Sequence, residues 1–436
     1  MLNPDRRVFL RSAILGPGGE STYPNPTSAP QNFPTDTESK DIMQLSKRIS
    51  SVPPSATISI TMRAKELQNS GIDVVSFGAG EPDFDTPQFI KDAAVAALQA
   101  GDTKYGPKSA AALKEAIAAK LEKENNLACK ANQVVVTVGA KHAIELLCQV
   151  LLDPGDKVLV PAPYWVSYPE MIKLAGGETV VIPASGENGF KITPRQILDN
   201  AAGAKAIILN SPSNPTGVTY TPEELKALAE AVLETDLLVI SDEIYEKLIY
   251  GDTRFTSFAA LDPRLPERTI TVNGLSKSFA MTGWRLGWLA GPIEIVDGVR
   301  RLMSHQTTNP VSFAQAGALA AYNDPQGAEV VEQMRQEFEK RGIHIAQRLN
   351  AIDGVECIRP TGAFYVFPDV SAHYGRTLAG TEIGGSMDLA KVALESSNVA
   401  VVPGAPFGED KCVRLSFATG MDQIDKGLDR LAELLG

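Results

Sequence analysis

The 436-residue chain is short of several things, and each shortage removes a class of function. It has four cysteines, Cys129, Cys148, Cys357 and Cys412, with no C-x-x-C among them. A disulfide framework or zinc site is not expected, and a reducing, cytoplasmic setting fits. The four histidines, His142, His305, His344 and His373, make no metal-spaced pair, so no metal is expected. No run approaches the roughly 18 apolar residues of a membrane span, so no membrane partner is expected. Positive charge is also short. Lys and Arg number 41 against 52 Asp and Glu, a formal net charge of −11. That balance argues against nucleic acid, whose phosphates need a basic face. Charged residues are only 21% and hydrophobic residues 44%, which is ordinary globular material. The length exceeds what one core usually supports, so a large and a small domain are expected.

Residues 1–42 lack apolar periodicity, and Gly, Pro, Ser, Thr and Asn dominate Gly16 to Ser39. This reads as a disordered extension. Within it, Asp5-Arg6-Arg7-Val8-Phe9-Leu10-Arg11 has the form of a twin-arginine export motif. Only Ala13-Ile14-Leu15 follows before Gly16-Pro17-Gly18-Gly19, short of the roughly 7–15 apolar residues of a signal peptide. A true start at Met43 and an organellar transit peptide are the other two readings, and the sequence leaves all three open.

From residue 72 apolar runs alternate with helical segments. The runs are Val134 to Val138, Lys157 to Val160, Thr179 to Ile182, Ala206 to Leu209, Leu237 to Ile240 and Thr269 to Val272. Helical spacing of Ile144, Leu147, Cys148 and Leu151 predicts a helix over about 141–152. Thr221-Pro222-Glu223-Glu224 is a helix start signal. Runs apolar on both faces and joined by helices imply an α/β fold with a mostly parallel sheet. After about residue 330 the texture changes. A charged helix over about 330–349 is followed by short apolar runs at Gly362 to Phe367, Asn398 to Gly404 and Cys412 to Phe417, as in an α+β second domain.

Polar clusters follow several of the runs, where open α/β sheets place ligands. The densest is Asn273 to Gly287. A lysine there, Lys277, among small and apolar residues can have a depressed pKa and act as an amine nucleophile. Arg285, farther along, can fork onto a phosphate. A surface lysine and a packing arginine fit that pair equally well in isolation. Asp242, in Ser241-Asp242-Glu243-Ile244-Tyr245, closes a strand and points into the ligand crevice; alone it also reads as a helix cap or surface charge. Asn210-Ser211-Pro212-Ser213-Asn214-Pro215-Thr216-Gly217 is a turn on any reading. Val138-Gly139-Ala140-Lys141 offers helix N-terminal amides to an anion, although it is not a P-loop. Pro161-Ala162-Pro163-Tyr164-Trp165 adds an aromatic plane beyond a strand.

Together with Gly78-Ala79-Gly80-Glu81-Pro82-Asp83-Phe84-Asp85-Thr86-Pro87, Pro163 to Tyr168, Ser211 to Gly217 and Phe279 to Arg285, these motifs resemble one family. It is the fold-type I, pyridoxal-phosphate-dependent class-I aminotransferases. The chain is most similar to the bacterial aspartate aminotransferases whose branch also contains prephenate aminotransferases. The resemblance runs from about Met43 to the C-terminus. It implies a mostly parallel seven-stranded sheet flanked by helices. It also implies a large cofactor domain over 91–330 and a small α+β domain from 43–90 and 331–436.

By the same resemblance the cofactor is pyridoxal 5′-phosphate, with Lys277 as covalent anchor and general base. Asp242 faces the pyridine nitrogen; at about 4 Å such a pair gains roughly 4 kcal/mol at an effective dielectric of 20. Tyr245 and Asn214 bond the ring hydroxyl, and Trp165 stacks on the ring. Arg285 and the amides of Gly139, Ala140 and Lys141 hold the phosphate, with Ser276 assisting. Tyr105 reaches the phosphate of a neighbouring subunit, which implies a homodimer with shared sites. Arg414 takes the substrate α-carboxylate, assisted by Asn214 and the backbone near Gly80. Lys141 reads the distal carboxylate, and Trp165 also borders the substrate. Gly274 stands where many relatives have a phosphate-binding serine. His305 to Pro310 carries no arginine of the kind animal-type enzymes lend to a partner.

The expected reaction moves the amino group of aspartate to 2-oxoglutarate by a ping-pong cycle, giving oxaloacetate and glutamate. The partners are small amino acids and 2-oxo acids. Transamination of prephenate to arogenate is the first alternative, and a lyase on the same scaffold is the second. A DNA-binding regulator is a third, which the short, unpatterned extension disfavours. The segment from Met43 to Ile60 and the Gly78 loop are candidate lids.

Overall fold

The computed structural model describes residues 45–436, so the readings attached to residues 1–42 lie outside the described residues. Lys47–Gly436 forms one compact unit. Its centre is a seven-stranded sheet. Across the sheet the strands run Val134–Thr137, Gly287–Ala290, Thr269–Gly274, Leu238–Asp242, Ala204–Asn210, Lys157–Ala162 and Glu178–Pro183. Six of these coincide with the apolar runs of the sequence, Val138 and Leu237 falling just outside their strands. The seventh, Gly287–Ala290, was not foreseen. It is only four residues long and runs antiparallel to both neighbours.

The strands are apolar on both faces because both faces are covered. Val158, Val160, Ile208 and Ile240 pack with Ile144 and Leu147 of the helix Ala140–Leu151 and with Val296 and Val299 of Ile293–Ser304. Leu159, Ile207 and Val239 face the other way, onto Leu225, Leu228 and Val232 of Pro222–Leu233. That helix begins as the sequence signals. Thr221 Oγ1 accepts from Glu224 N at 3.2 Å, and Glu224 Oε2 accepts from Thr221 N at 2.7 Å, a reciprocal capping box.

Beyond residue 325 the helix Gln326–Leu349 starts four residues before the expected position. With Ser386–Ser397 and Met421–Leu435 it covers a three-stranded sheet, ordered Val402–Pro403, Val413–Ser416, Tyr365–Val366, and the parallel pair Val75–Ser76 with Val399–Ala400. The expected runs there form strands of two to four residues. Gly217 (φ +70°) joins this layer to the large sheet. A Cβ on it would run into the Tyr365 carbonyl, and its own carbonyl accepts from the N–H groups of Thr361 and Gly362 at 2.8 and 3.0 Å. Among the described residues no helix is long and apolar enough to cross a membrane.

Candidate active site

The C-terminal ends of the parallel strands, with the Gly78 loop and the strands carrying Tyr365 and Arg414, enclose a cavity of about 370 Å³. The segments after Thr137, Ala162, Asn210, Asp242 and Gly274 deliver Lys141, Trp165, Asn214, Tyr245 and Lys277 to it.

Lys277 lies just past its strand. Its Nζ donates to the Gly80 carbonyl at 2.6 Å and sits 5.8 Å and 5.6 Å from the ring centres of Tyr245 and Phe364. Burial brings the amine down to about 8; Glu81 and Asp242 oppose this, while Arg285 and Arg414 reinforce it. Asp242 ends the next strand. Its Oδ2 accepts from the Tyr168 hydroxyl at 2.6 Å and its Oδ1 from Ile244 N at 3.3 Å. Burial pushes its carboxyl up to about 6 against the pull of those bonds and of Lys277. A depressed amine and a raised acid facing one cavity are the pairing expected of acid–base chemistry. The Tyr245 hydroxyl lies 3.0 Å from that of Tyr365, and burial holds its phenol well above the usual range.

Besides Lys277, three cations of the cavity, Arg414, Arg285 and Lys141, have no ion-pair partner among the described residues. Arg414 is 1% exposed; its Nη1 donates to Asn214 Oδ1 and its Nη2 to the Gly78 carbonyl, both at 3.0 Å, and its Nε is buried without a partner. Its guanidinium lies 4.6 Å from the Tyr365 ring centre. A buried cation held only by neutral oxygens is a site for an anion. Arg285 has a left-handed backbone (φ 53°) and donates from Nη1 to the Thr282 carbonyl at 2.6 Å. Its guanidinium lies against Gly139 (φ +83°), where a Cβ would overlap it. Gly139 precedes the helix Ala140–Leu151, so a cation and a helix N-terminus converge on one side of the cavity.

A model of the aminotransferase class I and II family matches residues 72–431. The chain belongs to that family. It is 49% identical over 392 residues to the aspartate aminotransferase of Bacillus subtilis, spanning 89% of this chain and 98% of that protein. It is 44% identical over 393 residues to the aspartate/prephenate aminotransferase of Cereibacter sphaeroides, spanning 89% and 97%. Among solved structures, the aspartate aminotransferase from Thermus thermophilus with maleate superposes with a TM-score of 0.84 at 41% identity, covering 90% of this chain and all of that one.

The aminotransferase fold is thus fold-type I, and the cofactor of the family is pyridoxal phosphate. The residues present fit that group: a buried amine of depressed pKa, a buried acid, an aromatic plane, and an arginine set beside a helix N-terminus. Of the residues singled out in the sequence, Gly80, Ala140, Lys141, Trp165, Asn214, Asp242, Tyr245, Ser276, Lys277, Arg285 and Arg414 line the cavity of this aminotransferase. Gly139 stands just behind its wall, packed on Arg285. Tyr105 is 85% exposed and outside the cavity. Lys141 Nζ lies 4.8 Å from the Trp165 ring centre, and burial, then Arg285, lowers its amine.

Sequence reasoning gave no role to several residues that build the site. Tyr168 holds Asp242; its signal was its place in the first turn of Ser167–Leu174, just after Trp165. Tyr365 stands between Tyr245 and Arg414, although its motif read only as a strand. Asn210 donates from Nδ2 to the Asp242 carbonyl at 3.0 Å and accepts from Asn214 N at 2.9 Å, tying two strand ends together. Thr282 Oγ1 donates to Glu81 Oε2 at 2.8 Å, closing the loop that carries Arg285 onto the Gly80 segment.

Proposed function

We propose that this aminotransferase moves the amino group of aspartate to 2-oxoglutarate. The observation that carries the reading is that two of the cavity cations without an ion-pair partner among the described residues are the buried Arg414 and Lys141 over Trp165. Aspartate, glutamate and their oxo acids each present two carboxylates, and a buried fork plus a second cation matches both. Relatives at 44–50% identity bear the names aspartate and aspartate/prephenate aminotransferase, and maleate, in the Thermus structure, is a dicarboxylate.

Arg414 binds the α-carboxylate with Asn214 beside it, and Lys141 binds the distal one. Arg285 and the helix N-terminus at Gly139–Lys141 hold the cofactor phosphate; Ser276 is an adjacent donor. Trp165 covers one face of the ring, and Tyr245 and Asn214 bond its hydroxyl. Bound pyridoxal phosphate supplies an electron sink. Asp242, ionised beside the ring nitrogen, holds a proton there. Lys277, whose amine burial brings down to about 8, is placed to take up the proton leaving the substrate Cα. Residues 91–330 form the cofactor lobe, and the described part of 43–90, from residue 45, with 331–436 the smaller one. Tyr105 serves the site of a second copy, so the working unit is a cytoplasmic homodimer.

Lys141→Ala tests the substrate assignment. It lowers kcat/KM for aspartate by about 100-fold and for alanine by no more than about 3-fold, since only aspartate presents a second carboxylate. Equal losses on the two substrates would overturn the assignment. A prephenate activity is favoured by the aspartate/prephenate relatives, because prephenate also carries two carboxylates; arogenate formation from prephenate measures it.

A further inference from the structure

Asp242 and Glu243 leave their strand toward opposite faces of the sheet. Asp242 faces Tyr168 and the cavity. Glu243 faces the other side, where its Oε1 accepts from Ser241 Oγ at 3.0 Å, Ser257 Oγ at 2.9 Å and Phe258 N at 3.1 Å. Its Oε2 is buried with no partner. Ser241 pairs with Thr271 on the neighbouring strand, so Thr269, Thr271 and Asn273 present their side chains to the same face. Thr269 Oγ1, Thr271 Oγ1 and Asn273 Nδ2 are buried and unpartnered too. These side chains are all 2% exposed or less. Half of the orphaned buried polar atoms among the described residues thus lie on one face of two adjacent strands. Those strands deliver Asp242 and Lys277, and Glu243 N bonds the Val272 carbonyl between them at 2.9 Å.

Buried polar atoms left without protein partners in this way are characteristically satisfied by ordered water with about three bonds. We propose that this face holds a buried water, and that Glu243 acts through it as a positioning residue for Asp242 and Lys277. The proposal rests on the aminotransferase reading only for its catalytic consequence. Burial, then the nearby Glu246, pushes the Glu243 carboxyl up to about 7, which agrees with a group lacking a counter-charge. Glu246 itself is paired with Lys120 and bonded by Asn125 Nδ2 at 2.9 Å, so that cation is already engaged.

Two measurements test it. A high-resolution crystal structure of the holoenzyme has a water within hydrogen-bonding distance of Glu243 Oε2 and of Thr271 Oγ1 or Asn273 Nδ2; a dry face overturns the proposal whatever the substrate proves to be. In folded, cofactor-loaded variants, Glu243→Leu lowers kcat by about 10-fold with KM for the amino donor within about 2-fold. It also moves the pH midpoint of the bound cofactor's absorbance by about half a unit or more, and Glu243→Gln, which keeps the hydrogen bonds, restores both. An unchanged kcat and midpoint in Glu243→Leu, or a Gln variant as impaired as the Leu variant, overturns the positioning role. Should Glu243→Leu fail to fold, Thr271→Val, which removes one water partner and keeps the shape, is read the same way.

Discussion

At Asp242 and Lys277, burial moves an acid and a base toward each other on the pH scale, from opposite directions. Asp242 rises from an ordinary 3.8 to about 6 and Lys277 falls from 10.5 to about 8. The raised acid binds its proton more tightly folded than unfolded, so its contribution to stability falls as pH rises through that window and stays unfavourable above it. Two units correspond to roughly 3 kcal/mol. Asp242→Asn therefore stabilises the cofactor-free protein at about pH 7.5, by up to roughly 3 kcal/mol, and the gain shrinks as pH falls to about 4.5. Urea unfolding at the two pH values checks this; a gain that grows on acidification would contradict it. The same substitution lowers kcat by about 100-fold or more, because the ring loses its ionised partner. Lys277 and Asp242 were recognisable as candidates because each follows or closes an apolar run, where α/β folds place their chemistry; Arg414 was named only by the family resemblance. Tyr168 and Tyr365 were not recognisable, because an aromatic residue has the same sequence pattern whether or not its hydroxyl reaches a carboxylate, as Tyr168 does, or another hydroxyl, as Tyr365 does.

Between strand and helix, the turn at Gly139 shows how an element shapes the site. The chain must pass there with φ +83° and leave room for the Arg285 guanidinium. Gly139→Ala both strains the backbone, by about 1 kcal/mol or more, and displaces the arginine. Affinity for pyridoxal phosphate then falls by about 10-fold or more in equilibrium dialysis. The melting temperature of the cofactor-free protein shifts only by the few degrees expected of about 1 kcal/mol. Unaltered affinity would show that the Arg285 position does not depend on this turn. The elements most legible in sequence were the ones with strong local signals, such as the capping box at Thr221 and the apolar strand Val134–Thr137. The strand Gly287–Ala290, no shorter than Val134–Thr137, was missed because it has no β-branched residue and follows a glycine- and arginine-bearing loop. Its antiparallel place between Val134–Thr137 and Thr269–Gly274 is set by partners distant in sequence.

On the scale of the whole molecule, a chain of net charge −11 builds a cavity lined by four cations, Lys141, Lys277, Arg285 and Arg414, against two carboxylates, Glu81 and Asp242. Tyr105, 85% exposed, gives the scale its own prediction. If Tyr105 completes the site of a second copy, inactive Tyr105→Ala and Lys277→Ala proteins regain activity when unfolded and refolded together. Random pairing leaves about a quarter of the wild-type sites intact, all in mixed dimers. Chromatography and activity of the mixture check it, and no recovery in verified mixed dimers would remove Tyr105 from the site. The sequence by itself determined the alternation of strands and helices, the family and part of the cavity wall, because apolar periodicity and motif order are properties of the chain. Tertiary structure alone decided the rest. Which hydroxyl holds Asp242, where Arg414 finds its neutral partners, and which polar atoms lie buried on the far face at Glu243 all depend on contacts between residues far apart in sequence. Those contacts exist only once strands from different parts of the chain lie side by side.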